Sequence, residues 1–123
     1  LLQDLQERGL LDETLVVFAS EFGRTPLGEN RPGYATVTGR DRRPDSFSVF
    51  MACGGAKGGL TYGETDEIGW SVTKDPVDIA DFHATILRLF GVEHTALTYP
   101  HLGANQRLTP ITREAKVIDA LIA

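Results

Sequence analysis

The sequence predicts a mixed α/β domain, and three observations carry that reading. The apolar, β-branched run Thr14-Leu-Val-Val-Phe-Ala19 breaks off into Ser20, Glu21 and Arg24, as a buried strand does when it delivers polar groups to a site. Ile79, Phe82, Ile86, Leu87, Leu89 and Phe90 form an apolar stripe at helical spacing. Short apolar segments elsewhere are separated by Gly- and Pro-rich stretches, with no internal repeat or low-complexity tract. At 123 residues and 41% apolar composition, the chain is long enough for a single domain, 1–123, with its own core.

The elements follow in order. Leu1, Leu2, Leu5 and Leu10 lie at helical spacing, and Gly9 closes that helix. Asp12 and Glu13 turn into a strand over 14–19, whose continuous rather than alternating apolar residues predict cover on both faces. From Phe22 to Asp45, repeated Gly and Pro with many charges and little periodicity predict a long loop, of a kind usually functional or mobile. Phe47, Val49, Phe50, Met51 and Ala52 predict a second buried strand running into Gly54-Gly-Ala-Lys-Gly-Gly59. Leu60 to Tyr62 read as a short strand or hairpin arm. Pro76 or Asp78 opens the main helix and Gly91 ends it. An irregular stretch runs through Pro110, and a closing helix carries Ala115, Ile118, Leu121 and Ile122 on one face.

Charge and composition exclude several function classes. A net charge of −5 and a pI near 5.1 disfavour nonspecific nucleic-acid binding. No apolar run approaches the roughly 20 residues that span a bilayer. The single cysteine, Cys53, cannot form an internal disulfide and does not reveal the compartment. The chain opens Leu-Leu with neither a methionine nor a signal peptide, so we expect a processed product or a piece of a larger protein.

Four constellations carry chemistry. Ser20-Glu-Phe-Gly-Arg24 sets a carboxylate and a guanidinium three residues apart at a strand end, where ligands bind in open α/β sheets. It would serve a metal or an anion; the alternative is a Glu21–Arg24 ion pair stapling strand to loop. Gly39-Arg-Asp-Arg-Arg-Pro44 gathers Arg40, Arg42 and Arg43 around Asp41, and the planar forks of arginine suit phosphate, sulfate or carboxylate. The alternatives there are a solvated loop neutralised by Asp41 and Asp45, or an interface. The glycine-rich 54–59 segment, centred on Lys57, fits an anion nest or, more simply, a tight turn; it matches neither the phosphate-loop nor the dinucleotide pattern. In Asp78-Ile-Ala-Asp-Phe-His-Ala-Thr85, Asp78 or Asp81 is suited to cap the helix and His83 to make a buried hydrogen bond or to lie near a site. His94 and His101 are expected on the surface. Ser20 lacks the Gly-x-Ser-x-Gly frame of a hydrolase nucleophile.

Taken together, Gly9-Leu-Leu-Asp-Glu-Thr-Leu-Val-Val-Phe-Ala-Ser-Glu-Phe-Gly-Arg-Thr25, Gly39-Arg-Asp41, Gly54 to Gly59, Gly63-Glu-Thr-Asp-Glu-Ile-Gly69 and Asp81-Phe-His-Ala-Thr-Ile-Leu87 resemble the C-terminal part of a large bacterial family of unknown function. That family is of the planctomycete and acidobacterial type and is related to sulfatases. The resemblance covers nearly the whole chain. It implies the C-terminal subdomain of an alkaline phosphatase-like three-layer sandwich, a central sheet with helices on both faces, with an N-terminal half missing. It further implies an exported parent that hydrolyses sulfate or phosphate esters with a divalent metal such as Zn, Mn, Mg or Ca. Glu21 would be a metal ligand or an orienting carboxylate in this segment, and Arg24, Arg40 and Arg42 would hold the anion, with Asp41 fixing their geometry at the anion site. Asp66, Asp81 and His83 would stand beside or behind them. Two departures weaken catalysis by this chain: Phe22 and Arg42 stand where the superfamily and the family pattern carry histidine. The nucleophile is expected upstream, so this chain alone is expected to be inactive. A non-catalytic module that binds an anionic ligand, or that self-associates, is the alternative.

Overall fold

The computed structural model describes residues 1–123. The chain is mixed α/β, but its strands form four two-stranded sheets rather than one central sheet. β1 (Val16–Phe18) pairs with β4 (Phe50–Ala52), β2 (Gly23–Gly28) with β3 (Arg40–Arg43), β5 (Glu64–Thr65) with β6 (Val72–Lys74), and β7 (Thr98–His101) with β8 (Ala104–Arg107). The last three pairs are antiparallel. Two helices, α1 (Leu2–Glu7) and α2 (Ile79–Leu89), complete the regular structure with a short 3-10 turn at Asp119–Leu121. The chain divides into two compact units.

The first unit comprises Leu1–Val16, Ala52–Leu60 and Val77–Ala123. α1 ends at Gly9 as expected, but buries none of its residues. In α2 the Asp78 carboxylate accepts the Ala80 N–H at 2.8 Å, which caps the helix. The buried face of α2 is not the apolar stripe. It is Ala80, Asp81, Ala84 and Thr85, while Ile79 and Phe90 are exposed. Small side chains there let the 113–118 segment lie close, so Ala80, Ala84 and Ala115 form the buried apolar core with Val117 packed against it.

That close approach also replaces the expected closing helix. Lys116 N–H donates to Asp81 Oδ1 at 2.8 Å and Ile118 N–H donates to Thr85 Oγ1 at 3.0 Å, so backbone donors a helix would use internally go to α2 instead. The chain then bridges Ile122 to Ala56, with Lys57 N–H donating to Leu121 O at 2.8 Å and Ala123 N–H to Gly55 O at 2.9 Å. The glycine-rich segment is therefore a turn fastened to the C-terminal residues, and the Lys57 amide that a nest would offer to an anion is occupied. The stretch before Pro110 contains an unexpected hairpin, β7–β8. Leu102 and Gly103 both adopt positive φ, 49° and 77°, as a two-residue type I′ turn requires. His94 is buried rather than on the surface, and its Nδ1 shares a 3.1 Å hydrogen bond with Thr109 Oγ1.

The second unit comprises Val17–Met51 and Thr61–Pro76. The expected long loop from Phe22 to Asp45 contains the β2–β3 hairpin, with Pro26 lying where the register slips. Proline, which has no N–H to donate, is tolerated in such a strand because the ladder is interrupted at a bulge. Residues 60–62 form no strand; the hairpin lies beyond them, at β5–β6. There Asp66 accepts the Trp70 and Ser71 amides at 2.7 and 2.9 Å, closing the turn. The expected cover on both faces of the 14–19 strand is absent: Phe18 is 74% exposed, and Val17 and Phe50 are also open to solvent.

Surface area expresses the same point. The chain exposes 9131 Å². A monomeric fold of 13.4 kDa exposes about 6,500 Å², and two separate units sharing that mass about 7,800 Å². The excess is apolar at many points, Leu102 at 91% and Ile111 at 74% among them.

Candidate oxyanion site

The β2–β3 hairpin places arginines by register. Gly23 opposes Arg43, Arg24 opposes Arg42 and Gly28 opposes Arg40. Alternation puts Arg40 and Arg42 on one face of β3, and Arg24 meets them there as the cross-strand partner of Arg42. Gly23 is required at the entry to β2, because a Cβ on it would run into the Ser46 carbonyl oxygen. Like charges directly opposite one another destabilise a strand pair. Here the Phe22 ring takes both: the Arg24 guanidinium lies 5.2 Å from its centroid and the Arg42 guanidinium 5.1 Å. Arg24 Nη1 also donates to the Arg40 carbonyl oxygen at 3.0 Å.

None of Arg24, Arg40 and Arg42 has a carboxylate partner. Asp41, expected to fix their geometry, instead accepts the Arg42 backbone N–H at 2.7 Å. The alternative Glu21–Arg24 staple does not form; Glu21 is exposed and free of side-chain partners. Arg43 stands apart, 4.6 Å over the Trp70 ring and 3.8 Å from Asp45. Beside Arg24 and Arg40, an open groove of about 410 Å³ is lined also by Glu29, Arg31, Thr38 and Gly39. Arg31 is paired there with Glu29 at 3.0 Å. Such a volume lies at the lower end of small-molecule sites, roughly 300–1,000 Å³.

A model of a family described as proteins of unknown function, DUF1501, matches residues 1–122. The chain belongs to the DUF1501 family. No curated protein and no solved structure matches it. The family match agrees with the resemblance to a family of unknown function drawn from the motifs.

The remaining candidate residues of this DUF1501 chain do not join the arginines. Asp66 holds the β5–β6 turn. Asp81 is buried with both oxygens engaged, Oδ1 by Lys116 N–H and Oδ2 by Arg113 at 2.7 Å. Burial would raise its pKa, but the Lys116 amide and the Arg113 guanidinium outweigh that and hold it below the ordinary carboxylate range. His83 is exposed and makes no hydrogen bond, contrary to the expected buried one. No group of three or more His, Cys, Asp or Glu side chains converges. Glu21 offers a single carboxylate next to this segment, and Glu29 in the groove is paired with Arg31, whereas hard cations take six or more oxygen ligands. The residues here do not complete a metal site by themselves.

The hairpin brings together Arg24, Arg40 and Arg42, which the sequence singled out, with Phe22, Glu29, Arg31 and Thr38, which it did not single out as site residues. For Phe22, one residue before β2, the available signal was its i, i+2 spacing to Arg24, which sets both on one side of an extended chain.

Proposed function

We propose that this DUF1501 chain carries an oxyanion-recognition surface for sulfate or phosphate esters. The observation that supports it is the grouping of Arg24, Arg40 and Arg42, without carboxylate partners, on one face of a hairpin in a chain of net charge −5. Planar guanidinium forks bind tetrahedral oxyanions through paired, charge-assisted hydrogen bonds. The adjoining groove gives the organic part of an ester a place to lie.

In the wider reading, the parent protein has the alkaline phosphatase-like three-layer sandwich and hydrolyses such esters outside the cytoplasm, on the motif resemblance alone. The nucleophile would come from residues outside these 123. Any divalent ion would need ligands from there too, with Glu21 contributing one carboxylate, and its Lewis acidity would polarise the ester. This chain's own part is to hold and orient the anion through Arg24, Arg40 and Arg42. Isothermal titration with inorganic sulfate and phosphate tests the binding claim. Wild type is expected to bind, and Arg24→Gln and Arg40→Gln to weaken binding about tenfold each. Absence of binding by wild type removes this reading.

The excess accessible surface supports a second role, association through apolar residues with the rest of the parent or with a second copy. Light scattering across a concentration series checks self-association: a mass that stays monomeric throughout would rule out the second copy.

A further inference from the structure

Phe22 enters neither the metal nor the anion chemistry anticipated for this segment, yet its ring is the one feature common to two of the three grouped arginines. Arg24 and Arg42 come from different strands, and each guanidinium lies within about 6 Å of the ring centroid, the range in which the negative ring face attracts a cation. Without that ring, two exposed like charges directly opposed across a hairpin would turn away from each other into solvent. Arginine side chains that wander in the free protein lose rotamer freedom on binding, and that loss weakens affinity. With the ring, both are held near one place before any ligand arrives.

We propose that Phe22 is the positioning residue of the oxyanion site, a shared aromatic platform that keeps Arg24 and Arg42 together so that one tetrahedral oxyanion can bridge them. The inference rests on the oxyanion reading above and adds to it a residue that bears no charge and donates no hydrogen bond. Phe22 thus acts through the arginines. Removing its ring changes neither the number nor the sign of the charges, so the dependence of binding on salt stays the same while affinity falls.

The test is titration of the 123-residue protein with inorganic phosphate and with sulfate, for wild type, Phe22→Leu and Phe22→Trp, at two salt concentrations. Phe22→Leu is expected to bind about tenfold more weakly with an unchanged salt slope, and Phe22→Trp to bind within about twofold of wild type, because tryptophan offers the better cation platform. If Phe22→Leu does not fold, pentafluorophenylalanine at position 22 carries the test. It keeps the shape of the ring but reverses the polarity of its face, and should weaken binding by a similar factor. Phe22→Leu or the fluorinated ring binding as tightly as wild type overturns the positioning role and leaves the oxyanion reading intact. Wild type failing to bind either anion overturns both.

Discussion

In the α2 region, charge is closed on itself; on the β2–β3 hairpin it is left open. Arg113 lies 2.7 Å from Asp81 and 3.2 Å from Asp78, and the second Asp81 oxygen takes a backbone amide. Thr85 is fully buried and links Asp81 O to Ile118 N–H through one hydroxyl, at 2.7 and 3.0 Å. Arg24, Arg40 and Arg42, by contrast, are exposed and meet no carboxylate; Arg24 and Arg42 lie against an aromatic ring, and Arg24 also donates to the Arg40 carbonyl. Buried polar groups must be satisfied within the fold because desolvation is costly, so the Asp81 carboxylate and the Thr85 hydroxyl are spent on the chain's own backbone and on Arg113. An exposed cluster of like charge brings no such stabilisation and leaves its donors free. The polar groups that hold the fold and those suited to binding are therefore different sets, although both include arginine and aspartate.

Variants at the two places should separate them. The largest effect is expected at Asp81→Asn, which removes the charge that faces Arg113 and should cost about 2 kcal/mol at neutral pH by urea unfolding. Because the folded pKa of Asp81 is depressed, its contribution is present above the ordinary aspartate value and is lost as pH falls through the lower folded value. Wild type should accordingly lose stability below about pH 4, and the asparagine variant should show a flatter acid limb. Thr85→Val takes one link from the same network and should cost about 1 kcal/mol in the same assay. If neither variant moves the unfolding midpoint, the network does not hold the C-terminal segment.

On the hairpin, Arg42→Gln removes one of two opposed like charges. Its unfolding free energy should stay within about 0.5 kcal/mol of wild type and should rise rather than fall at low salt. A loss comparable with that at Asp81 would mean that the arginines are part of the scaffold, and the contrast between the two regions would fail.

Particular residues show how far the sequence could be read. Helix α2, its Asp78 cap and its end at Gly91 were legible, because capping and glycine termination are local. So were the strand cores at 16–18 and 50–52 and the turn character of 54–59. Hairpins β2–β3 and β7–β8 were not. Pro26 and a register slip disguise the first, and Leu102 at positive φ gives the second a turn that no common dipeptide announces. The closing helix was misread because its apolar spacing is helical, while its amides are claimed by residues about 33 positions earlier.

The sequence by itself determined the mixed α/β character, the acidic balance with arginines gathered at 40–43, and the family. Only the tertiary structure decided which arginines have partners, that Asp81 and Thr85 bind the chain's own backbone, and that two guanidiniums share the Phe22 ring. Residue type and spacing set what a side chain can do. Cross-strand register and long-range pairing set what it meets, and those depend on chain segments far apart in sequence.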